Sequence, residues 1–255
     1  MSVSDNIPLN IWSYWEGPEN KYVTTSYNSW LKHCSNYNIV VINKSNIKQY
    51  LPDIDILNLK HLDSEARISD YVRFNILAKH GGIWMDATII LTRPLDWVHN
   101  FKSDFVGYWR NASTTNPKYK VVESWFLACT PNNKFMNAWK DEFMKINNYY
   151  NIYDYINTVR KDNVDLQNIG NLSYLTCYVA CQVIIQKYLT YDEYEKLKLI
   201  RMEDTEKYLD SVNVTPALVT DHIDMLPNII KLTQWNRKAI DRDPYLQKIL
   251  ERFSV

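Results

Sequence analysis

The clearest strand, Tyr37 to Asn43, reads Tyr-Asn-Ile-Val-Val-Ile-Asn, and its unbroken apolar run predicts burial on both faces, as in a parallel sheet. Upstream, Leu9–Ile11 with Trp12 to Trp15 predicts a short strand that ends at the turn Glu16-Gly17-Pro18. Between the two, Asn20 to Cys34 places Val23, Tyr27, Trp30 and Leu31 on one helical face. Strand, helix, strand in that order is a βαβ unit. Asp63 or Ser64 can cap a next helix, and Gly81-Gly82 ends it just after Lys79 and His80. Ile83–Met85 then leads into Asp86, and Ile89–Leu91 leads away from it. Phe105–Tyr108 and Trp125–Thr130 are further strand candidates, followed by a helix from Asn132 to about Ile146.

The second half changes character. Tyr149 to Arg160, Leu172 to Leu189 and Tyr191 to Leu199 predict helices, Val212 to Val219 a strand, and Asp243 to Phe253 a terminal helix with Pro244 in its first turn. The pattern predicts an α/β core over 1–146, a helical lobe over 147–210, and a closing segment with a helix over 211–255. All three belong to one domain, with no repeat or low-complexity segment between them.

Composition narrows the function classes. Lys+Arg and Asp+Glu both number 29, so the net charge is zero, which argues against sequence-independent nucleic-acid binding. Aromatic residues reach 14%, with nine Trp and 19 Tyr. Such rings either fill a core or stack on sugars and bases. There is no Gly-x-Gly-x-x-Gly and no P-loop pattern. The four cysteines, Cys34, Cys129, Cys177 and Cys181, lack metal-site spacing and read as buried thiols of a reducing compartment. Met1 to Pro8 has no signal-peptide character, and no stretch approaches the roughly 18 apolar residues of a membrane span. A cytoplasmic protein is expected.

The sharpest chemical feature is Arg67-Ile68-Ser69-Asp70-Tyr71-Val72-Arg73, followed by Gly81-Gly82-Ile83-Trp84-Met85-Asp86-Ala87-Thr88. Asp70 and Arg73 lie three apart and share a helix side. Alone, that pair reads as a surface ion pair worth under about 1 kcal/mol. The Gly-Gly turn changes the reading, because it delivers Asp86 to the carboxyl end of a strand, where open α/β sheets bind ligands. A carboxylate there can hold a cation, a ribose hydroxyl or a sugar hydroxyl.

Ser-Asp-x-x-Arg followed by Gly-Gly-Ile-Trp-x-Asp-x-Thr resembles the glycosyltransferases with a DXD-containing sugar-binding region. Within them the chain is most similar to the capsular polysaccharide synthesis transferases. Ile7-Pro8, Ile11 to Gly17, Ser29-Trp30, Arg93-Pro94-Leu95-Asp96 and Ser124-Trp125-Phe126 fit the same pattern, as does the distant Lys231-Leu232-Thr233-Gln234-Trp235.

The resemblance implies an A-type glycosyltransferase fold with a Rossmann-like, nucleotide-binding central sheet and an added helical lobe. It implies a retaining transfer from a nucleotide diphosphate sugar, most often a UDP-sugar, to a glycan or polysaccharide acceptor. By the same resemblance Asp70 and Arg73 bind the donor sugar, Trp84 sits near the nucleotide, and Asp86 reaches the ribose and a Mn²⁺ or Mg²⁺ ion. Trp12 or Trp15 stacks on the base, with Tyr14 beside them in the donor site. Thr233 and Trp235 close over the diphosphate. Lys231 would offset its growing charge. His222 is a supplementary metal ligand. Glu123 is the candidate carboxylate should a covalent intermediate form. The sequence departs from Asp-x-Asp at Thr88, a neutral hydroxyl and a weaker metal partner. That departure leaves a second reading, a non-catalytic binder of sugars or nucleotide sugars.

Overall fold

The computed structural model describes residues 6–54, 59–61, 63–203 and 226–253. Six strands form the main sheet: β1 (Asn10–Tyr14), β2 (Asn38–Ile42), β3 (Gly82–Met85), β5 (Phe105–Trp109), β6 (Val122–Cys129) and β7 (Lys198–Arg201). Their order is β2-β1-β3-β6-β5-β7. β1 runs parallel to β2 and β3, and β5 parallel to β7, while β6 is antiparallel to both its neighbours. A separate two-stranded sheet pairs β4 (Ile89–Leu91) with β8 (Ile229–Lys231), antiparallel.

Side-chain alternation along the central strands divides the core. Ile83 and Met85 of β3 face one apolar cluster with Ile11 and Trp30; Trp84 between them faces the other, with Trp12, Leu127 and Trp139. The first face is covered by α1 (Lys21–His33), capped by the Asn20 side chain. The second is covered by α3 (Glu65–His80), α5 (Lys134–Met144) and α7 (Thr176–Lys187), with α6 (Ile152–Lys161) packed on α7. The expected lobe thus shares its core with the sheet. Short helices α2 (Ile47–Tyr50), α4 (Asp96–Asn100) and α8 (Tyr191–Glu195) complete this part. Near the end of the chain, α9 (Gln234–Arg242) and α10 (Pro244–Phe253) bury Ile240, Leu250 and Phe253 with Tyr22 and Ile230.

Two sequence expectations change. The Tyr37–Asn43 run forms a strand whose only neighbour among the described residues is β1; Val40 and Ile42 are buried but Ile39 and Val41 are not. The helix expected over Tyr191 to Leu199 stops at Glu195, and Lys198–Arg201 instead becomes β7, because the exposed edge of β5 offers it a ladder. The helix α9 had no signal in the apolar pattern, since its exposed face dominates. The Val212–Val219 strand lies outside the described residues.

The Gly-Gly turn behaves as the sequence requires. Gly81 and Gly82 take φ of 62° and 95°, values that L side chains rarely adopt. They reverse the chain from α3 into β3 with almost no spare room, and so bring the first turns of α3 to the same edge of the sheet as the end of β3.

Candidate active site

A cleft of about 670 Å³ opens at the carboxyl ends of β1 and β3. Tyr14 closes β1, and Asp86 directly follows β3; the Asp86 N–H donates to the Trp125 carbonyl at 3.0 Å, tying it to the middle of β6. The N-terminal parts of α3, α7 and α9 also line the cleft, through Glu65, Ser69 and Asp70, through Leu175, Cys177 and Tyr178, and through Thr233, Gln234 and Arg237. Three helix N-terminal ends therefore face one space, an arrangement that favours anions.

Asp86 is the hub. Its Oδ1 accepts from Arg73 Nη2 at 2.8 Å and from the Trp84 indole N–H at 3.1 Å, and its Oδ2 accepts from Lys231 Nζ at 2.5 Å. Arg73 Nη1 donates in turn to Asp70 Oδ1 at 2.5 Å and to Ser124 Oγ at 2.8 Å. The Arg73 guanidinium also lies 5.0 Å from the centre of the Trp84 ring. The Asp70–Arg73 pair is thus no surface bridge: the two side chains are 12% and 5% exposed.

Burial pushes the Asp86 carboxyl up, but Lys231 and Arg73 outweigh it and hold the group at about 2 against an ordinary 3.8. Burial raises Asp70 in spite of Arg73 and Arg67. A folded value below the unfolded one means Asp86 stabilises the fold above about pH 4, and this contribution fades as pH falls toward 2. The stability advantage of the native chain over Asp86→Asn is therefore expected to shrink, by roughly 2 kcal/mol, between pH 5 and pH 2. Urea unfolding of both proteins across that range measures it. An advantage that stays constant would show that the carboxylate is not held ionised.

The expected residues divide by position. Asp70, Asp86, Arg73, Tyr14, Trp15, Thr88, Lys231 and Thr233 all line the cleft. Of the two tryptophans offered for the base, only Trp15 does. Trp12 is a correction: it is 4% exposed, its indole N–H donates to the Gly81 carbonyl at 2.8 Å, and its ring packs edge-on against Tyr50. It braces the Gly-Gly turn from the core. Trp84 is fully buried and reaches the cleft through Asp86 and through Arg73, whose guanidinium lies over its ring. Trp235 is 76% exposed, beside Lys238, and does not line the cleft. Thr233 caps α9: its hydroxyl accepts from the Asn236 N–H and donates to Asn236 Oδ1. The Tyr14 hydroxyl donates to Glu65 Oε2 at 2.7 Å, and burial followed by Glu65 raises its pKa strongly. Glu123 stands behind the wall, where the Tyr178 hydroxyl donates to its Oε2 at 2.6 Å and burial raises its pKa. His222 lies outside the described residues.

Sequence reasoning missed Arg237, Tyr174 and Tyr178. Arg237 lies one helical turn after the capping Thr233, and its Nη1 donates to the Leu232 carbonyl at 2.7 Å. Tyr174 and Tyr178 share the i,i+4 spacing that could have marked them as one face.

A divalent cation, implied by the resemblance, does not fit the residues gathered here. Both Asp86 oxygens already face cationic or N–H donors, Arg73 and Trp84 on Oδ1 and Lys231 on Oδ2. The Thr88 hydroxyl donates to the Leu232 carbonyl at 3.1 Å. Among the described residues no three His, Cys, Asp or Glu side chains stand close enough to hold an ion.

Both halves of the Ser-Asp-x-x-Arg and Gly-Gly-Ile-Trp-x-Asp-x-Thr block are thus built into one cleft, and the chain is a protein of the capsular-synthesis class. It belongs to the family described as capsular polysaccharide synthesis protein, which matches residues 2–159. Among solved structures it is similar to the PaToxG glycosyltransferase, at 17% identity over 97% of this chain and 88% of that one, with a TM-score of 0.42. It is also similar to the glycosyltransferase GlyE of Streptococcus pneumoniae TIGR4, at 13% identity over 97% and 63% of the two chains, with a TM-score of 0.45. A third is a glycosyltransferase involved in glycosylation of the major capsid of PBCV-1, at 7% identity over 92% and 98%, with a TM-score of 0.43. No match was found among curated protein sequences. Among the described residues, no helix is long and apolar enough to cross a membrane.

Proposed function

We propose that the chain transfers a sugar from a nucleotide diphosphate donor, a UDP-sugar, to a hydroxyl of a glycan acceptor with retention at the anomeric carbon. The observation that carries this reading is the Asp86 carboxylate at the end of β3, joined to Arg73 and Lys231 in the floor of the cleft. A diphosphate suits Lys231, Arg237 and the three helix N-terminal ends. The Trp15 and Tyr14 rings at the end of β1 suit a base. Asp70 and Asp86, bound to Arg73, suit the sugar hydroxyls.

The way the cleft carboxylates are engaged supports retention. Among the described residues, Asp70, Asp86 and Glu65 line the cleft and are already held by Arg73, Lys231 or Lys44, while Glu16, also in the lining, accepts from the Lys44 backbone N–H at 3.0 Å. Glu123 faces Tyr178 instead. With these carboxylates engaged, the acceptor oxygen is read as bonding to the anomeric carbon directly, on the face that the phosphate leaves. The sugar–oxygen bond breaks with its electron pair going to the β-phosphate oxygen, which also takes the acceptor proton. Catalysis then consists of holding both partners and stabilising the departing charge.

The test is a thermal-shift and calorimetric panel of UDP, GDP, ADP, CDP and their sugars. One UDP-sugar is expected to raise stability by about 2.7 kcal/mol at a hundred times its Kd. Release of UDP on adding glycan acceptors would complete the reading. Binding without any release would favour the non-catalytic binder, and a panel with no binding member would remove the proposal.

A further inference from the structure

We infer that Lys231, seconded by Arg237, supplies at the diphosphate the positive charge that a divalent cation would otherwise bring, so that transfer runs without metal. The inference rests on the proposed donor. It starts from a mismatch. A strand-end Asp followed two residues later by a neutral Thr is a poor cation site, and Thr88 has turned its hydroxyl to the Leu232 carbonyl. The vacated charge is met from the far end of the chain. β8 pairs with β4, the strand just after Asp86, with Ile89 opposite Lys231. That register sets the Lys231 ammonium on Asp86 Oδ2 at 2.5 Å.

The position is built for this purpose. The Lys231 side chain is 13% exposed and lines the cleft, so its charge acts in a poorly solvated setting yet can touch a ligand. One of its three N–H groups satisfies Asp86; the others remain for phosphate oxygens. Asp86 works as the counter-ion that aims it, braced on the opposite side by Arg73 and Trp84. Within this network the charges of Arg73 and Lys231 balance those of Asp70 and Asp86. Arg237 adds a cation that forms no ion pair among the described residues; its Nη1 lies 2.7 Å from the Leu232 carbonyl and 3.4 Å from Thr88 Oγ1. When the sugar–phosphate bond breaks and the electron pair passes to the β-phosphate oxygen, these fixed cations receive the new charge without rearrangement.

Two readouts test this: release of UDP from the donor, and calorimetric binding of inorganic pyrophosphate, each in EDTA and with added Mn²⁺. Native protein is expected to bind pyrophosphate and to turn over in EDTA within about twofold of its rate with Mn²⁺. Lys231→Met, which keeps the length of the side chain, is expected to weaken pyrophosphate at least about tenfold, as loss of a charged hydrogen bond should. Lys231→Arg is expected to retain most of that affinity. Turnover or pyrophosphate binding abolished by EDTA and restored by Mn²⁺ would overturn the inference while leaving the transferase reading intact. If no donor turns over in either condition, that reading fails, and pyrophosphate binding still decides the role of Lys231. Should Lys231→Met not fold, Mn²⁺ electron paramagnetic resonance of the native protein decides: a bound signal with UDP contradicts the inference, and free Mn²⁺ supports it.

Discussion

Asp86→Asn is expected to lower sugar transfer by at least about a hundredfold, the size of effect seen when one preorganised electrostatic contact is removed. The amide keeps the shape but not the charge. Lys231 then loses the counter-ion that aims it, and Arg73 loses one of its two carboxylates. A buried cation deprived of a partner also destabilises, by about 3–5 kcal/mol where the pair was fully buried. Asp86 is 27% exposed and Asp70 still holds Arg73, so the loss here should fall below that range. Circular dichroism and thermal unfolding are expected to show a folded variant, and initial rates of UDP release a nearly inactive one. Transfer near the native rate would remove Asp86 from the site.

Gly82→Ala is expected to cost the fold far more than any surface change. A Cβ there would lie 2.7 Å from the Asn10 carbonyl oxygen and 2.8 Å from the Trp12 indole nitrogen, at a φ of 95°. Asn10 begins β1, and Trp12 is fixed by its bond to Gly81. Neither can withdraw without parting β1 from β3. Backbone strain of about 1–3 kcal/mol adds to a similar cost for overpacking. At about 2–4 °C per kcal/mol, Tm should fall by roughly 10 °C or more, if the chain folds at all. Gly17→Ala is the control, because its φ is 87° but nothing lies within 4 Å of the added carbon. It should lose only the strain, a few degrees. Equal losses at the two positions would mean that the tight turn does not set the end of β3.

These two sites show what a single sequence makes legible. The helix–Gly-Gly–strand block is local, and its capping, its turn and the carboxylate at its end follow from residues within a short span. The alternation of β3 likewise fixes which face Trp84 takes. Contacts between distant segments carry no such signal. Lys231 meets Asp86 across 145 residues, and that meeting depends on β8 choosing β4 as its partner. Arg237 depends on it in turn. Trp12 and Trp15 looked equivalent in the sequence, yet Trp12 lies within β1 and points into the core, whereas Trp15 follows the strand and borders the cleft. Lys198–Arg201 carries too little alternation to distinguish strand from helix; only the free edge of β5 decides it. Thr88 was readable as a departure from Asp-x-Asp, but the lysine that answers it was not.

The most direct measurement is a crystal structure of the protein soaked with UDP. The diphosphate is expected within hydrogen-bond distance of Lys231 and Arg237, and the uracil ring against Trp15. Nucleotide bound elsewhere, with the space around Asp86 left to solvent, would contradict the account.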